Sequence, residues 1–445
     1  MNWPRYPKYV STDTRWLGDV PSHWTVGTFS KFGRFEGGCG FPHEYQGITD
    51  QELAFHKVNA FSRASRSGVL ESRNDTISRA TARKLGATIL SAGDLVFAKV
   101  GAALLLGRIA SLPEPGCIDN NMMAFISGNR VDPRFARYLL SQVRFDVLVN
   151  PGAVPSVNEG QLRRLPTAVP PTDEQLLIVD FLDRETSKID ALVDKQNQLI
   201  ATLRENRTAT ITHAVTKGLN PDAQMKDSGV AWIGSVPQSW VRQKLVWLFS
   251  FMNGDRGSNY PSSNELVDEG VPFINAGHLK DGRVDFSSMN YITAEKYATM
   301  GGAKLQAGDI LYCLRGSLGK NCVYDLSSGG ALASSLVALR NRKPTEIDSN
   351  FAYWLLNSAQ EEGQRSILNS GSAQPNMSAE DLGQFVFEIP PVDEQRQIVV
   401  FIENKCRNLD ALIAKATEAI GTLREYRSAL ITAAVTGKID IRGAA

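Results

Sequence analysis

PPTDEQLLIVDFLDRETSKIDALV, residues Pro170–Val193, returns 220 positions later as PPVDEQRQIVVFIENKCRNLDALI, residues Pro390–Ile413. Each copy opens on a double proline and continues as a charged, Leu/Ile-rich run without Gly or Pro. In the first copy Thr172 to Gln175 has capping-box spacing just after Pro171, a helix start. Val392 replaces the threonine in the second, which leaves Asp393 to cap. Beyond the start, one set of positions recurs at alternating spacings of four and three. It reads Ile178, Leu182, Glu185, Ile189, Leu192, Gln196, Leu199 and Leu203 in the first copy. In the second it reads Ile398, Ile402, Lys405, Leu409, Leu412, Ala416, Ala419 and Leu423. This is a heptad seam of about four heptads. Glu185 and Lys405 occupy the same slot, and their opposite charges suit a pair across the seam that fixes register. A helix of roughly 40 residues at ~1.5 Å each runs ~60 Å, more than one small domain covers. The spacing therefore predicts a helix partner for each helix, in preference to a helix lying on its own domain.

The rest of the chain is duplicated in the same order. WLGDVPSHW (Trp16–Trp24) matches WIGSVPQSW (Trp232–Trp240), and KVNA (Lys57–Ala60) matches FINAG (Phe273–Gly277), both with an offset of 216. SAGDLVFAKVG (Ser91–Gly101) matches QAGDILYCLRG (Gln306–Gly316) at 215, and TLRENRTATITHAVT (Thr202–Thr216) matches TLREYRSALITAAVT (Thr422–Thr436) at 220. Offsets that are constant within blocks and drift between them mark a duplication with loop insertions, at a period far too long for a solenoid. Short apolar runs such as DLVFAKV and DILYCL, bounded by turn residues, predict short strands in a mixed α/β (α+β) domain ahead of each helix. The expected organisation is a first globular domain 1–171, a helix 172–216, a linker 217–231, a second domain 232–391, a helix 392–436 and a tail 437–445. The link between the first helix and the second domain is short. Seam packing then requires the second helix to run back antiparallel, which gives a pseudo-twofold arrangement with a head at each end of a rod.

Composition bounds the function classes. Hydrophobic residues make up 42% and charged residues 21% of 445 residues, ordinary for a globular protein. No run of about 18 apolar residues predicts a membrane span, and the N-terminus lacks the apolar stretch of a secretory signal, so a cytoplasmic location is expected. Five cysteines without a CxxC pair fit a reduced protein with no zinc site. Catalytic signatures are missing: RGSLGK (Arg315–Lys320) lacks the upstream glycine of a phosphate-binding loop, and HExxH and GxSxG do not occur. None of His23, His43, His56, His213 and His278 falls at matching positions in the two copies. The glycine-rich EGGCGF (Glu36–Phe41) recurs as MNGDRG (Met252–Gly257), which reads as a turn. No catalytic residue is expected in this chain.

The W-[LI]-G-x-V-P-x-x-W openings, the AGD strands, the PP-x-DEQ boundaries and the TLRE-[NY]-R-[ST]-A helix ends together resemble the specificity subunit of type I restriction–modification enzymes. The resemblance covers nearly the whole chain. It implies two target-recognition domains on two long antiparallel helices, each reading half of a split double-stranded DNA target in defence against foreign DNA. It also implies docking of two methyltransferase subunits and of motor–nuclease subunits. S-adenosylmethionine, ATP and magnesium are implied for those partners, with no cofactor or metal in this chain.

Net charge of +1 argues neither way on DNA. Locally, Phe55–Arg108 has nine Lys/Arg against three acids, and Gly270–Val323 has six against four. The first head is therefore basic enough for phosphate contacts. Base readout uses Arg, Lys, Asn or Gln on groove-facing loops. The candidates are Lys57, Arg63, Arg66, Arg73 and Lys99 in the first domain, and Arg256, Lys280, Arg283, Arg315 and Lys320 in the second. The paired tryptophans Trp16/Trp24 and Trp232/Trp240 read as core, and each AGD as a strand-entry turn whose Asp94 or Asp309 accepts backbone donors. A structural adaptor, two protein-binding heads on a coiled-coil rod, is the alternative.

Overall fold

A computed structural model describes residues 3–12, 14, 16–65, 68–70, 73–150, 154–230, 233–257, 259–280, 282–368 and 376–443. It divides into two compact units, Met1–Lys195 with Ala419–Ala445, and Gln196–Glu418. The predicted long helices are α1 (Thr172–Lys217) and α2 (Val392–Val435). Each unit therefore holds one globular domain, the beginning of the long helix that follows it and the end of the other.

In the first unit a four-stranded antiparallel sheet runs Gly33–Gly37, Met122–Ser127, Leu95–Ala98, Ile109–Ser111. A second sheet pairs Thr76–Ile77 antiparallel and Gly116–Ile118 parallel to the central strand Leu53–His56. Side chains alternate across a strand, and here both faces are covered. Leu95, Phe97, Met123 and Phe125 face a core that includes Phe35, Phe135 and the start of α1. Val96, Ala98, Met122 and Ala124 face a core with Leu70, Leu90 and Ile118. Burial on both faces is why DLVFAKV reads as an unbroken apolar run.

The second unit repeats this plan. Its sheet runs Phe249–Asn253, Leu336–Asn341, Ile310–Cys313, Asn321–Val323. Ile310, Tyr312, Val337 and Leu339 face one core, Leu311, Cys313, Leu336 and Ala338 the other. Ser91 N–H donates to Asp94 Oδ2 at 2.7 Å and Gln306 N–H to Asp309 Oδ2 at 2.8 Å, the strand-entry turn the AGD motif predicts.

The long helices pair antiparallel within each unit. In the first, Ile178, Leu182 and Ile189 of α1 share a core with Leu430, Ile431, Ala434 and Val435 of α2, and Arg427 Nε donates to Asp190 Oδ1 at 3.0 Å. In the second, Ile398, Ile402 and Cys406 of α2 share a core with Ile211, Ala214 and Val215 of α1, and Arg207 Nε donates to Asp410 Oδ1 at 3.2 Å. Asp190 matches Asp410 and Arg207 matches Arg427 at the 220 offset. One ion pair is thus made twice, with donor and acceptor helices exchanged.

The seam differs from the heptad expectation in two ways. Its first turns, Ile178 and Leu182 or Ile398 and Ile402, pack on the domain that precedes them as well as on the other helix. Further along, Leu203 is buried and Leu409 and Leu423 are half-buried, while Leu192, Leu199 and Leu412 remain 46%, 45% and 49% exposed. Leu199, Leu203 and Leu412 line an open cavity of ≈ 240 Å³ with Gln196, Lys415 and Ala416. Nor does the Glu185–Lys405 pair carry register. Glu185 bonds Lys188 at 2.8 Å and Arg184 at 3.3 Å on its own helix, and Lys405 lies over the Phe401 ring. Short-range partners win because an exposed charge gains as much from a neighbour one turn away at less cost in side-chain entropy.

Candidate nucleic-acid interface

Two motifs position each domain on its helices. Gln175 and Gln395, both fully buried, sit in the DEQ boundary. Gln175 Nε2 donates to Arg130 O at 2.8 Å and Pro170 O at 2.9 Å, and its Oε1 accepts from Asp132 N–H at 2.8 Å. Gln395 makes the same three bonds to Glu346 O, Pro390 O and Asp348 N–H, each at 2.8 Å. This occupies both amide hydrogens, so the glutamine is a clamp between domain and helix rather than the reciprocal member of a capping box.

The preceding glutamate holds the closing tryptophan of the nine-residue repeat. Trp24 Nε1 donates to Glu174 Oε1 at 2.9 Å, and Trp240 Nε1 to Glu394 Oε2 at 3.2 Å. Both rings are buried, as core residues should be, and Trp16 is half-buried, whereas Trp232 lies outside the described residues. The same nine-residue turn also receives the far end of the other helix. Lys438 Nζ donates to Leu17 O at 2.9 Å and Asp19 O at 2.6 Å, and Lys217 Nζ to Ile233 O at 3.0 Å and to Ser235 O. WxGxVPxxW is therefore a socket for one helix start and one helix end, which is why a two-domain chain carries it twice.

At the far side of each sheet the chain crosses itself closely. In the first domain Gly38 N–H donates to Met122 O at 3.3 Å, and Cys39 N–H to Ile118 O at 3.1 Å. A Cβ on Gly38 would stand 1.9 Å from Asp119 O, so only glycine passes. In the second domain Gly254 N–H donates to Leu336 O at 3.0 Å, and a Cβ there would stand 2.1 Å from Ala333 O. Asp119 N–H donates to His56 O at 3.0 Å, as Ala333 N–H does to Ile274 O at 2.8 Å. These bonds equate His56 with Ile274 and therefore Lys57 with Asn275. Matching KVNA to FINAG by their shared Asn-Ala misaligns the strands by two residues, because the preceding loops differ in length.

Several candidate side chains meet around this crossing. In the first domain Lys57 caps the strand end, but its Nζ is held by buried Asp75 at 2.8 Å and lies over the Phe41 ring. Lys99 is tied in by its backbone, N–H to Asn121 O at 2.8 Å, and its side chain is half-buried. Arg63 is exposed at the end of the 3-10 turn Val58–Arg63. Arg73 is engaged elsewhere, with Gln51 O at 2.7 Å and Glu114 at 3.4 Å, and Arg66 lies outside the described residues. In the second domain Arg256 Nη2 donates to Ser334 O at 3.3 Å. Leu314 N–H donates to Ser335 O at 2.8 Å, which sets the exposed Arg315 beside the crossing. Lys320 Nζ reaches Ala276 O at 2.9 Å. Lys280 is paired with Asp285, and Arg283 is exposed on the facing groove lined by Arg207, Trp354 and Asp410.

The local electrostatics stiffen these loops. Asp119 is only 8% exposed and its carboxyl is raised by burial, while its Oδ1 accepts Asn121 N–H at 3.0 Å. Asp255 is held low, chiefly by backbone N–H donors, Gly257 at 2.7 Å and Gly301 at 2.8 Å. Burial alone depresses the His56 imidazole to about 4. Among the described residues no cluster of three or more His, Cys, Asp or Glu is arranged to hold a metal, and no helix is long and apolar enough to cross a membrane. The crossing offers amide, hydroxyl, ammonium and guanidinium groups on loops held by these backbone hydrogen bonds.

Residues 240–421 match the family model described as type I restriction modification DNA specificity domain. A putative type I restriction enzyme MjaX specificity subunit of Methanocaldococcus jannaschii is 23% identical over 363 residues, 79% of each chain. The HsdS subunit of Thermoanaerobacter tengcongensis has a similar fold, with a TM-score of 0.52 and 18% identity over 94% of this chain and 98% of that one. A chain solved in work on complex assembly and conformational transition of the type I R-M system gives a TM-score of 0.66 and 17% identity over the same shares. With the family model on the second half, its motifs repeated in the first and a common fold over nearly the whole length, this chain is similar throughout to the specificity subunits of type I restriction–modification enzymes.

Proposed function

We propose that each domain of this chain reads one half of an asymmetric, bipartite DNA target, and that the chain docks methyltransferase and motor–nuclease subunits that supply the chemistry. The observation that carries this is a constant frame with a variable rim. Both domains make the same glycine crossing, the same glutamine clamp and the same tryptophan socket, yet their exposed loop residues differ. Identical frames with identical rims would read a symmetric site. S-adenosylmethionine, ATP and magnesium belong to the partner subunits in this reading.

Arg63 and Lys99 in one domain, and Arg315 and Lys320 in the other, are the phosphate contacts. Each contact removed should reduce the slope of log affinity against log salt by about 0.9. The test is a salt titration of the assembled complex on a duplex that carries its target. Replacing all four by alanine should flatten the slope by about three to four. An unchanged slope and affinity would favour the protein-binding adaptor.

A further inference from the structure

The glycine crossing holds the backbone beneath a small set of residues, and those residues differ between the copies. Two residues after the crossing glycine, the first domain has Gly40 and the second has Arg256. On the opposing loop the first domain has Asn120 and Asn121, both exposed, where the second has Ser334 and Ser335. The backbone beneath is held in both. Asp119 accepts the Asn121 N–H, and Lys99 N–H donates to Asn121 O. Asp255 accepts the N–H of Gly257, next to Arg256, and that of Gly301 from a separate segment, and the Arg256 fork rests on Ser334 O through one nitrogen. An exposed guanidinium anchored at one nitrogen keeps its other donors available. Functional groups on a rigid frame, with their identity free to vary, are what a specificity element requires.

Resting on the DNA reading above, we propose that these rim residues read base edges, and that their chemistry assigns a different base to each half-site. Arg256 reads a guanine in the half-site of the second domain, because a guanidinium meets the O6 and N7 acceptors of guanine bidentately. Asn120 and Asn121 read an adenine in the half-site of the first, because a carboxamide matches the N6 donor and N7 acceptor of adenine. The flanking cations, Lys99 on one side and Arg315 and Lys320 on the other, hold phosphates and set register.

The test is selection of bound sequences from randomised duplexes by the full chain assembled with its methyltransferase subunits. The wild-type chain should return a split motif. Arg256→Ala should lose preference at one guanine by about fivefold or more, with the other half of the motif intact. The double change Asn120→Ala, Asn121→Ala should lose preference at one adenine in the opposite half. Arg256→Lys keeps the charge but not the fork, so it too should relax the guanine position. Motifs that stay unchanged while binding weakens uniformly would overturn the proposal, as would both variants altering the same half. A wild-type complex that selects no sequence would overturn the functional reading instead. Arg256→Gln is the substitute should the alanine variant fail to assemble, and its motif is judged by the same criterion.

Discussion

Gln175 shows how much one buried side chain can organise. Its three bonds join the end of one loop, the double proline and the first turn of a long helix, and Gln395 repeats them. Replacing Gln395 by leucine removes the partner of two carbonyls and one N–H, of which the Pro390 carbonyl is buried and the others part-buried. At about 1–3 kcal/mol for each unpaired group, partly relieved by relaxation, the second unit should lose roughly 2–4 kcal/mol, read as a lower denaturation midpoint. His56 gives a pH signature. It is 2% exposed and its imidazole titrates near 4 when folded, against 6.5 for an unperturbed group. Above pH 6.5 the depressed value has no effect. As pH falls from 6.5 towards 4 the unfolded chain takes up a proton that the folded one refuses, so stability should drop by up to about 3 kcal/mol. His56→Phe should flatten that acid limb of the denaturation profile; an unchanged limb would assign it to carboxylates. At this scale the sequence was only partly legible. DEQ read as a cap because spacing shows proximity along a helix and not the carbonyls folded over it. Lys57 and Arg73 read as free cations, although Asp75 and Glu114 engage them.

Among the elements, the long helices were the most legible feature and their side-chain pairing the least. The alternation of four and three identified both, and the structure places them at Thr172–Lys217 and Val392–Val435. Register came out wrong because Glu185 and Lys405 share a slot, whereas the residues that pair are Asp190 with Arg427 and Arg207 with Asp410. A signal was present, since both residues of each pair recur at the 220 offset. These pairs are half-exposed, so each contributes about 0.2–1 kcal/mol. Reversing one, as Asp190→Arg with Arg427→Asp, should restore most of the stability that either single change removes, measured as a double-mutant cycle. The strand crossing makes a sharper demand. Gly254→Ala drives a methyl to within 2.1 Å of a carbonyl oxygen, so the crossing must open. Target binding should be lost for the second half-site while the first is still selected.

For the whole molecule, duplication governs the rest. An ordered series of repeated motifs shows from sequence that two modules exist, and the heptads show what links them. The loops were less legible than the frame, because their alignment drifts, as the two-residue slip between Asn59 and Asn275 illustrates. The frame is built from repeated residues, and the rim from residues that differ. A chain built this way should let its heads be exchanged independently. The most direct measurement is methylation mapping of cells carrying this chain with its partners, before and after residues 1–170 are replaced by the first domain of another specificity subunit. One half of a split motif should change while the other half stays as it was. A motif that changes in both halves, or in neither, would contradict the assignment of one half-site to each domain.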